Sequence, residues 1–313
     1  MSTETKNNEE ARWMENRLFP SIGDLLAMLG VFFASQIAVT LIAMLVLLFS
    51  GQGLVDLDPQ SKGLFLALVS LVSLSATSVI IWRYRRWRKA PKIHIALGVK
   101  GLNPLLVGWC FLLMMASVVV LEPLYELLPV PNQDFGRGFW AFMAVVVIAP
   151  CMEEWVCRGQ IFGSLRTRFG VVRSILLSAL VFGLMHVQPV PVINAFVLGL
   201  VLAFIYHATN SLWAPILLHA LNNGTAYFLT LAGYGESSFS SLFGDHRTLY
   251  LIFYAGAVLL VVGSLTAIWR LLHRPSEEKV AVAESGEAAQ ITDVSPASEA
   301  EKVPEEQKID PSM

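Results

Sequence analysis

The stretch "APCMEEWVCRGQ", residues 149–160, decides how the rest of the chain is read. It closes an uncharged run from Phe139 to Met152 and adds Glu153, Glu154 and Arg158 to it. An ionisable side chain in hydrocarbon costs roughly 2.5–3.5 kcal/mol on insertion scales, so such groups mark a site if the run around them crosses a bilayer. The sequence on either side supplies that context. Runs long enough for a ~30 Å core, which takes ~20 residues, occur near 22–50, 63–82, 105–127, 139–165, 171–187, 192–207, 213–231 and 248–272. The fifth and sixth are short, and His186 to Pro191 leaves little room for an exposed loop between them. The expected fold is all-α: a polytopic membrane protein, a bundle of about eight transmembrane helices around an intramembrane polar cavity, with seven spans as the alternative.

Composition agrees with a membrane chain. Of the 313 residues 55% are hydrophobic, against ~45–50% in soluble domains, and mean hydropathy is +0.60. No nucleic-acid partner is expected; the bilayer itself is the first partner. The first twenty residues are polar, so no cleavable leader is expected there. With the N-terminus cytoplasmic, 19 of the 22 Lys and Arg fall on the inner side, and only Lys62, Arg137 and Arg247 fall outside. The loop "RYRRWRKAPK" (83–92) is the strongest anchor of this positive-inside pattern. Residues 1–20 then form a cytoplasmic segment, 21–274 the membrane domain, and 275–313 a tail. That tail, rich in Glu, Ala, Ser and Pro and free of aromatics, is expected to be disordered. Cys110, Cys151 and Cys157 lie in apolar runs without CxxC spacing and are expected to be buried thiols.

Polar residues then converge from three spans. Glu154 and Arg158 are spaced i,i+4 and can pair on one helix face. Glu153 points about 100° away and has no partner on its own helix. Pro150 is expected to kink that helix. In "ILLSALVFGLMH" Phe182 and His186 share a face, and in "WAPILLHALNNGTAY" His219 and Asn223 do. Counting 1.5 Å per residue puts Glu153 about 20 Å and His186 about 22 Å from the inner ends of their helices, with His219 and Asn223 at about 10–16 Å. Glu122 and Glu126 are expected to snorkel toward headgroups, and His207 to be interfacial.

The ordered motifs "EEWVCR", "FGLMH" and "HALNN" (EExxxR, FxxxH, HxxxN) resemble the CAAX protease and bacteriocin-processing (CPBP) family of intramembrane endopeptidases, which includes prenyl-protein proteases that trim C-terminal tripeptides. The resemblance covers about 105–231; members often carry Phe where this chain has Cys157, a packing change. It implies hydrolysis of a peptide or lipidated protein substrate, and two mechanisms stay open. In one, Glu153 is the general base, His186 orients the water, and His219 and Asn223 hold the oxyanion; Glu154, Arg158 and Phe182 support them. In the other, Glu153, His186 and His219 bind a divalent metal, zinc, whose open position activates water; the family's usual label as metallopeptidases points this way. No HExxH or GxSxG occurs. Two other classes compete. Intramembrane Glu and His also build proton-coupled transporters, though no repeated halves are visible, and a non-catalytic immunity or binding scaffold would keep the fold alone. Short loops fit a bacterial cell membrane, where peptide maturation is as natural a role as prenyl-protein processing. No lipid-binding signature stands out in the sequence.

Overall fold

The first three long helices of this protein begin where short polar residues cap them. In the computed structural model, which describes residues 19–129, 136–234 and 238–273, helix α1 (Ile22–Phe49) opens with a capping box. Ser21 Oγ accepts from Asp24 N at 3.1 Å, and Asp24 Oδ2 accepts from Ser21 N at 2.7 Å. Helix α2 (Pro59–Trp87) and helix α3 (Pro104–Tyr125) both start with proline at the first position, after Asp58 and Asn103, whose side chains accept from the next free N–H groups. Asp24 also ties α1 to the far end of α2: its Oδ1 accepts from Tyr84 Oη at 2.6 Å and pairs with Arg88 Nε at 3.0 Å.

Residues 149–160 lie in a continuous helical run, Phe139–Leu184, of 46 residues. It comprises α4 (Phe139–Phe142), a π-helix π1 (Met143–Ile148), α5 (Ala149–Glu154), a second π-helix π2 (Trp155–Phe162) and α6 (Gly163–Leu184). Straight, 46 residues would reach about 69 Å, twice the hydrocarbon core. Gly170 resolves this with φ 71 and ψ −176, which breaks the helix. The two arms fold back on each other, since Cys157 Sγ lies 3.6 Å from Met185 Sδ and the Arg158 guanidinium lies over the Phe182 ring. The chain then continues as α7 (Pro189–Thr209), α8 (Trp213–Leu231), the short α9 (Phe239–Leu242) and α10 (Arg247–Leu272).

Among the described residues six helices are long and apolar enough to cross a membrane. The break at Gly170 makes two passes of one of them, and α8, a 19-residue helix that carries His219, Asn222 and Asn223, is the eighth pass on the expected count. Among the described residues every regular element is helical. The expected N-terminal segment and acidic tail lie almost wholly outside the described residues. The chain divides after Ile268; the described part of the second unit, 269–273, is the end of α10, where His273 stacks on Trp269 with centroids 4.8 Å apart.

Two expectations are corrected here. Pro150 does not simply kink its helix: the turns before it widen into π1, absorbing the lost N–H. Nor does Glu122 snorkel. It is 4% exposed and accepts from Ser240 N at 2.8 Å and Tyr250 Oη at 3.1 Å, while Glu126 accepts from Ser240 Oγ at 2.6 Å. The donors come from α9 and α10, more than a hundred residues downstream, which an apolar-run reading could not bring to α3.

The packing that positions the site is that of α6 against α7. Ala179 and Gly183 on one, and Ala195 and Gly199 on the other, are small residues at i,i+4, which lets membrane helices approach closely. A Cβ on Gly199 would lie 3.0 Å from Ala179 Cα and 3.2 Å from the Phe182 ring; one on Gly183 would lie 2.9 Å from Val192 O.

Candidate active site

Glu153 and Glu154 end α5, with a π-helix on either side. They go separate ways, as adjacent helical residues must. Glu154 is wholly buried, and its Oε1 accepts from Arg158 Nη1 at 2.8 Å. Arg158, wholly buried too, donates through Nη2 to Gly199 O at 3.1 Å and lies 4.5 Å above the Phe182 ring, a desolvated cation–π contact. The close approach at Gly199 is what exposes that carbonyl to Arg158.

The same Glu154 oxygen stands 3.0 Å from His219 Nδ1. A carboxylate already paired with Arg158 can only accept, so His219 carries a proton on Nδ1 and presents Nε2 on its other side. There Glu153 Oε2 lies 3.9 Å away, outside hydrogen-bond reach. Spacing foresaw the pairing of Glu154 with Arg158. It did not foresee that Glu154 also holds a histidine from α8.

Phe182 lies between the two histidines, edge-on to His186 at 5.1 Å and to His219 at 5.5 Å. His186 Nδ1 is 3.0 Å from Phe182 O; the carbonyl accepts, so the proton is on Nδ1 and Nε2 is free to accept. Directly after His186, Val187 has φ 58, a left-handed conformation that a β-branched residue rarely adopts. Strain of this kind persists where the surroundings over-determine the backbone.

Asn223 is fixed by what π1 and Pro150 leave undone. Ala149 N donates to Ala144 O, five residues back, rather than to Val145 O. The corresponding donor for Val145 O would be residue 150, a proline without an N–H. Asn223 Nδ2 takes that carbonyl at 3.0 Å, and Asn222 Nδ2 donates to Asn223 Oδ1 at 3.3 Å. With its oxygen and one N–H engaged, Asn223 keeps its second N–H for another acceptor.

Glu153, His186, His219 and Asn223 all line one cavity of about 620 Å³. All four candidate residues thus reach the same space, with Glu154, Arg158 and Phe182 packed behind them. Two amides in the wall, Asn194 and Asn222, were missed from the sequence; Asn194 is a polar group in an apolar run, and Asn222 adjoins Asn223 in "HALNN". Glu122, Tyr125 and Glu126 form a further part of the wall. His207 is half-buried and meets Arg166, its Nδ1 3.0 Å from Nη1. Cys110 and Cys157 are buried as expected, whereas Cys151 is half-buried.

The zinc reading asks Glu153, His186 and His219 to set three ligand atoms about 2 Å from one ion. Among the described residues no group of three or more His, Cys, Asp or Glu is placed to hold a metal ion. The proposed ligand set does not fit, and no chemical step is assigned to a metal.

Residues 135–225, an interval that contains every residue of this constellation, match the family model described as type II CAAX prenyl endopeptidase, Rce1-like. The resemblance carried by the three motifs is shown for that interval. The chain is also 30% identical over 77 residues to a Bacillus subtilis (strain 168) protein named "Putative membrane peptidase YdiL". That match takes in 25% of this chain and spans about a third, 32%, of the relative's length. No solved structure matches. The chain is an integral, multi-pass membrane protein with a CAAX-protease-like core.

Proposed function

We propose that this protein is an intramembrane endopeptidase that hydrolyses a peptide bond near the membrane-associated terminus of its substrate, with water as nucleophile. The observation that carries the reading is the convergence of Glu153, His186, His219 and Asn223 on one cavity inside an apolar bundle, within the interval matched to a peptidase family. Glu153 takes a proton from water as the oxygen attacks the scissile carbonyl carbon, and His186 Nε2, free to accept, orients that water. The oxyanion takes the second N–H of Asn223 and a proton-bearing Nε2 of His219. With His219 doubly protonated, two carboxylates (Glu153, Glu154) face two cations (Arg158, His219), and the buried cluster carries no net charge. The C–N bond then breaks and Glu153 returns the proton to the leaving amine. A prenylated C-terminus, the substrate type in the matched family's description, would leave its lipid in the bilayer while the peptide entered the cavity. From the charge asymmetry we place both termini in the cytoplasm, and from the short loops the chain in a bacterial cell membrane.

The test is cleavage of membrane-anchored peptides, prenylated and unprenylated, by the reconstituted protein in isotopically labelled water. One labelled oxygen in the new carboxylate, with a rate at least about 10²-fold lower in Glu153→Gln, is the expected result. Turnover retained after verified metal stripping supports direct activation of water. Proton flux without cleavage would replace this reading with the transporter class.

A further inference from the structure

A second hollow, of about 380 Å³, opens at the C-terminal end of α2, apart from the site above. Arg86, Lys92 and Trp82 line its exposed rim; Arg85 and Gln160, 6% and 4% exposed, lie deeper, with Trp155 alongside. Helix α2 has 29 residues, about 43 Å, close to the ~40–45 Å of a bilayer with its headgroups. Its last turn, with Arg85 and Arg86, therefore stands at headgroup level if its first turn does at the other face.

The hollow is built rather than incidental. Lys89, at φ 50, turns the chain back, and Arg85 Nη2 donates to Pro91 O at 2.7 Å, which brings Lys92 to the rim. The Arg86 guanidinium is held 4.8 Å over the Trp82 ring. Inside, Trp155 Nε1 and Gln160 Nε2 both donate to Ser78 Oγ, at 3.0 and 2.7 Å, and Gln160 Oε1 has no hydrogen-bond partner among the described residues. Cations at headgroup depth, aromatic and Ile walls below them, and an unsatisfied acceptor at the base make an amphipathic gradient.

We propose that this hollow binds the headgroup of an anionic membrane phospholipid. The phosphate meets Arg86 and Lys92, and the first acyl carbons lie along Trp82, Trp155, Ile93 and Ile95. Basic pockets of this kind at a membrane face hold phosphate-bearing headgroups. Phosphatidylglycerol, whose phosphate carries a net negative charge, is an anionic headgroup that Arg86 and Lys92 can pair with. Trp155 directly follows Glu154, so the lipid would bear on π2 where it leaves the carboxylate pair; the binding itself stands apart from the peptidase reading.

The experiment is native mass spectrometry of the full chain in neutral detergent, titrated with phosphatidylglycerol, phosphatidylcholine or inorganic phosphate. The expected result is one retained phosphatidylglycerol in preference to phosphatidylcholine. Arg86→Gln with Lys92→Gln should weaken that preference roughly tenfold or more, whereas Arg83→Gln with Lys89→Gln, which removes two nearby charges outside the hollow, should not. All four side chains are exposed, so folding is not at stake. Equal retention of the two lipids, or equal loss in both double variants, would overturn the site in favour of a general surface charge effect. Displacement of the lipid by inorganic phosphate would reassign it to a soluble anion.

Discussion

Replacing Glu154 with Gln removes a charge and almost no volume, so its cost is electrostatic. The Arg158 guanidinium is wholly buried and would keep only Gly199 O, the Phe182 ring and a neutral amide oxygen. Breaking a buried pair by removing one partner costs about 3–5 kcal/mol. The surviving contacts, and the fact that Arg158 Nε and Glu154 Oε2 lack hydrogen-bond partners among the described residues to begin with, place this case near the lower figure. At roughly 2–4 °C per kcal/mol for a chain of this size, the melting temperature should fall by about 6–12 °C. Adding Arg158→Gln removes the orphaned charge and should restore part of the loss, because the amide now standing in for the Glu154 carboxylate still offers an oxygen to His219 Nδ1. Glu153→Gln is the contrasting case: Glu153 is half-buried against the cavity and its nearest ionic neighbour is 3.9 Å away. It should melt with the wild type and turn over at least about 10²-fold more slowly. Both quantities are to be read on the same purified samples. A Glu154→Gln protein that is stable but inactive, beside an active Glu153→Gln protein, would show the two carboxylates to be assigned the wrong way round.

Pro150→Ala gives the helix back an N–H that competes for Val145 O, so Asn223 loses its fixed orientation; turnover should drop about tenfold with an unchanged or higher melting temperature, and unchanged turnover would remove Asn223 from the oxyanion role. Gly199→Val drives a branched side chain into Ala179 and Phe182, 3.0–3.2 Å away, and should cost about 1–3 kcal/mol, seen as a lower melting point. Val187→Gly relieves a left-handed residue, worth about 1 kcal/mol, and so should raise the melting temperature by a few degrees while slowing catalysis as His186 gains freedom; a rise in neither stability nor mobility, read by hydrogen exchange at 185–188, would mean Val187 carries no strain.

The helices and the site were legible to different degrees. Caps such as Asp58-Pro59 and Asn103-Pro104 announce their helices, and the i,i+4 pairs Glu154/Arg158 and His219/Asn223 lie where spacing puts them. What spacing cannot carry is contact between helices: the link of His219 to Glu154, or the burial of Glu122 by Ser240 and Tyr250. Nor could it distinguish the two wide helical stretches from ordinary α-helix, because a π turn differs by one hydrogen-bond step and leaves no residue signature beyond Pro150. The paired small residues Ala179/Gly183 and Ala195/Gly199 went unread, because their meaning lies in the partner helix that spacing does not name.

The wide turns around Glu153 and Glu154 make length itself a constraint. A π turn holds one residue more than the α turn it replaces, so deleting one residue from Met143–Ile148 would let that stretch relax to a normal helix. The flanking residues would keep their facing, since five residues of α-helix turn the chain about as far as six of the wider helix. A deletion in the regular turns of α5 would instead swing everything before it by about 100° relative to the carboxylates: Val145 would leave Asn223, and Phe142 would leave Tyr227, whose ring it now meets edge-on at 6.0 Å. Elsewhere in a helix a substitution is judged by its side chain. Within α5 the number of residues is part of the site, and an insertion or deletion there would undo the geometry even if every named side chain were kept.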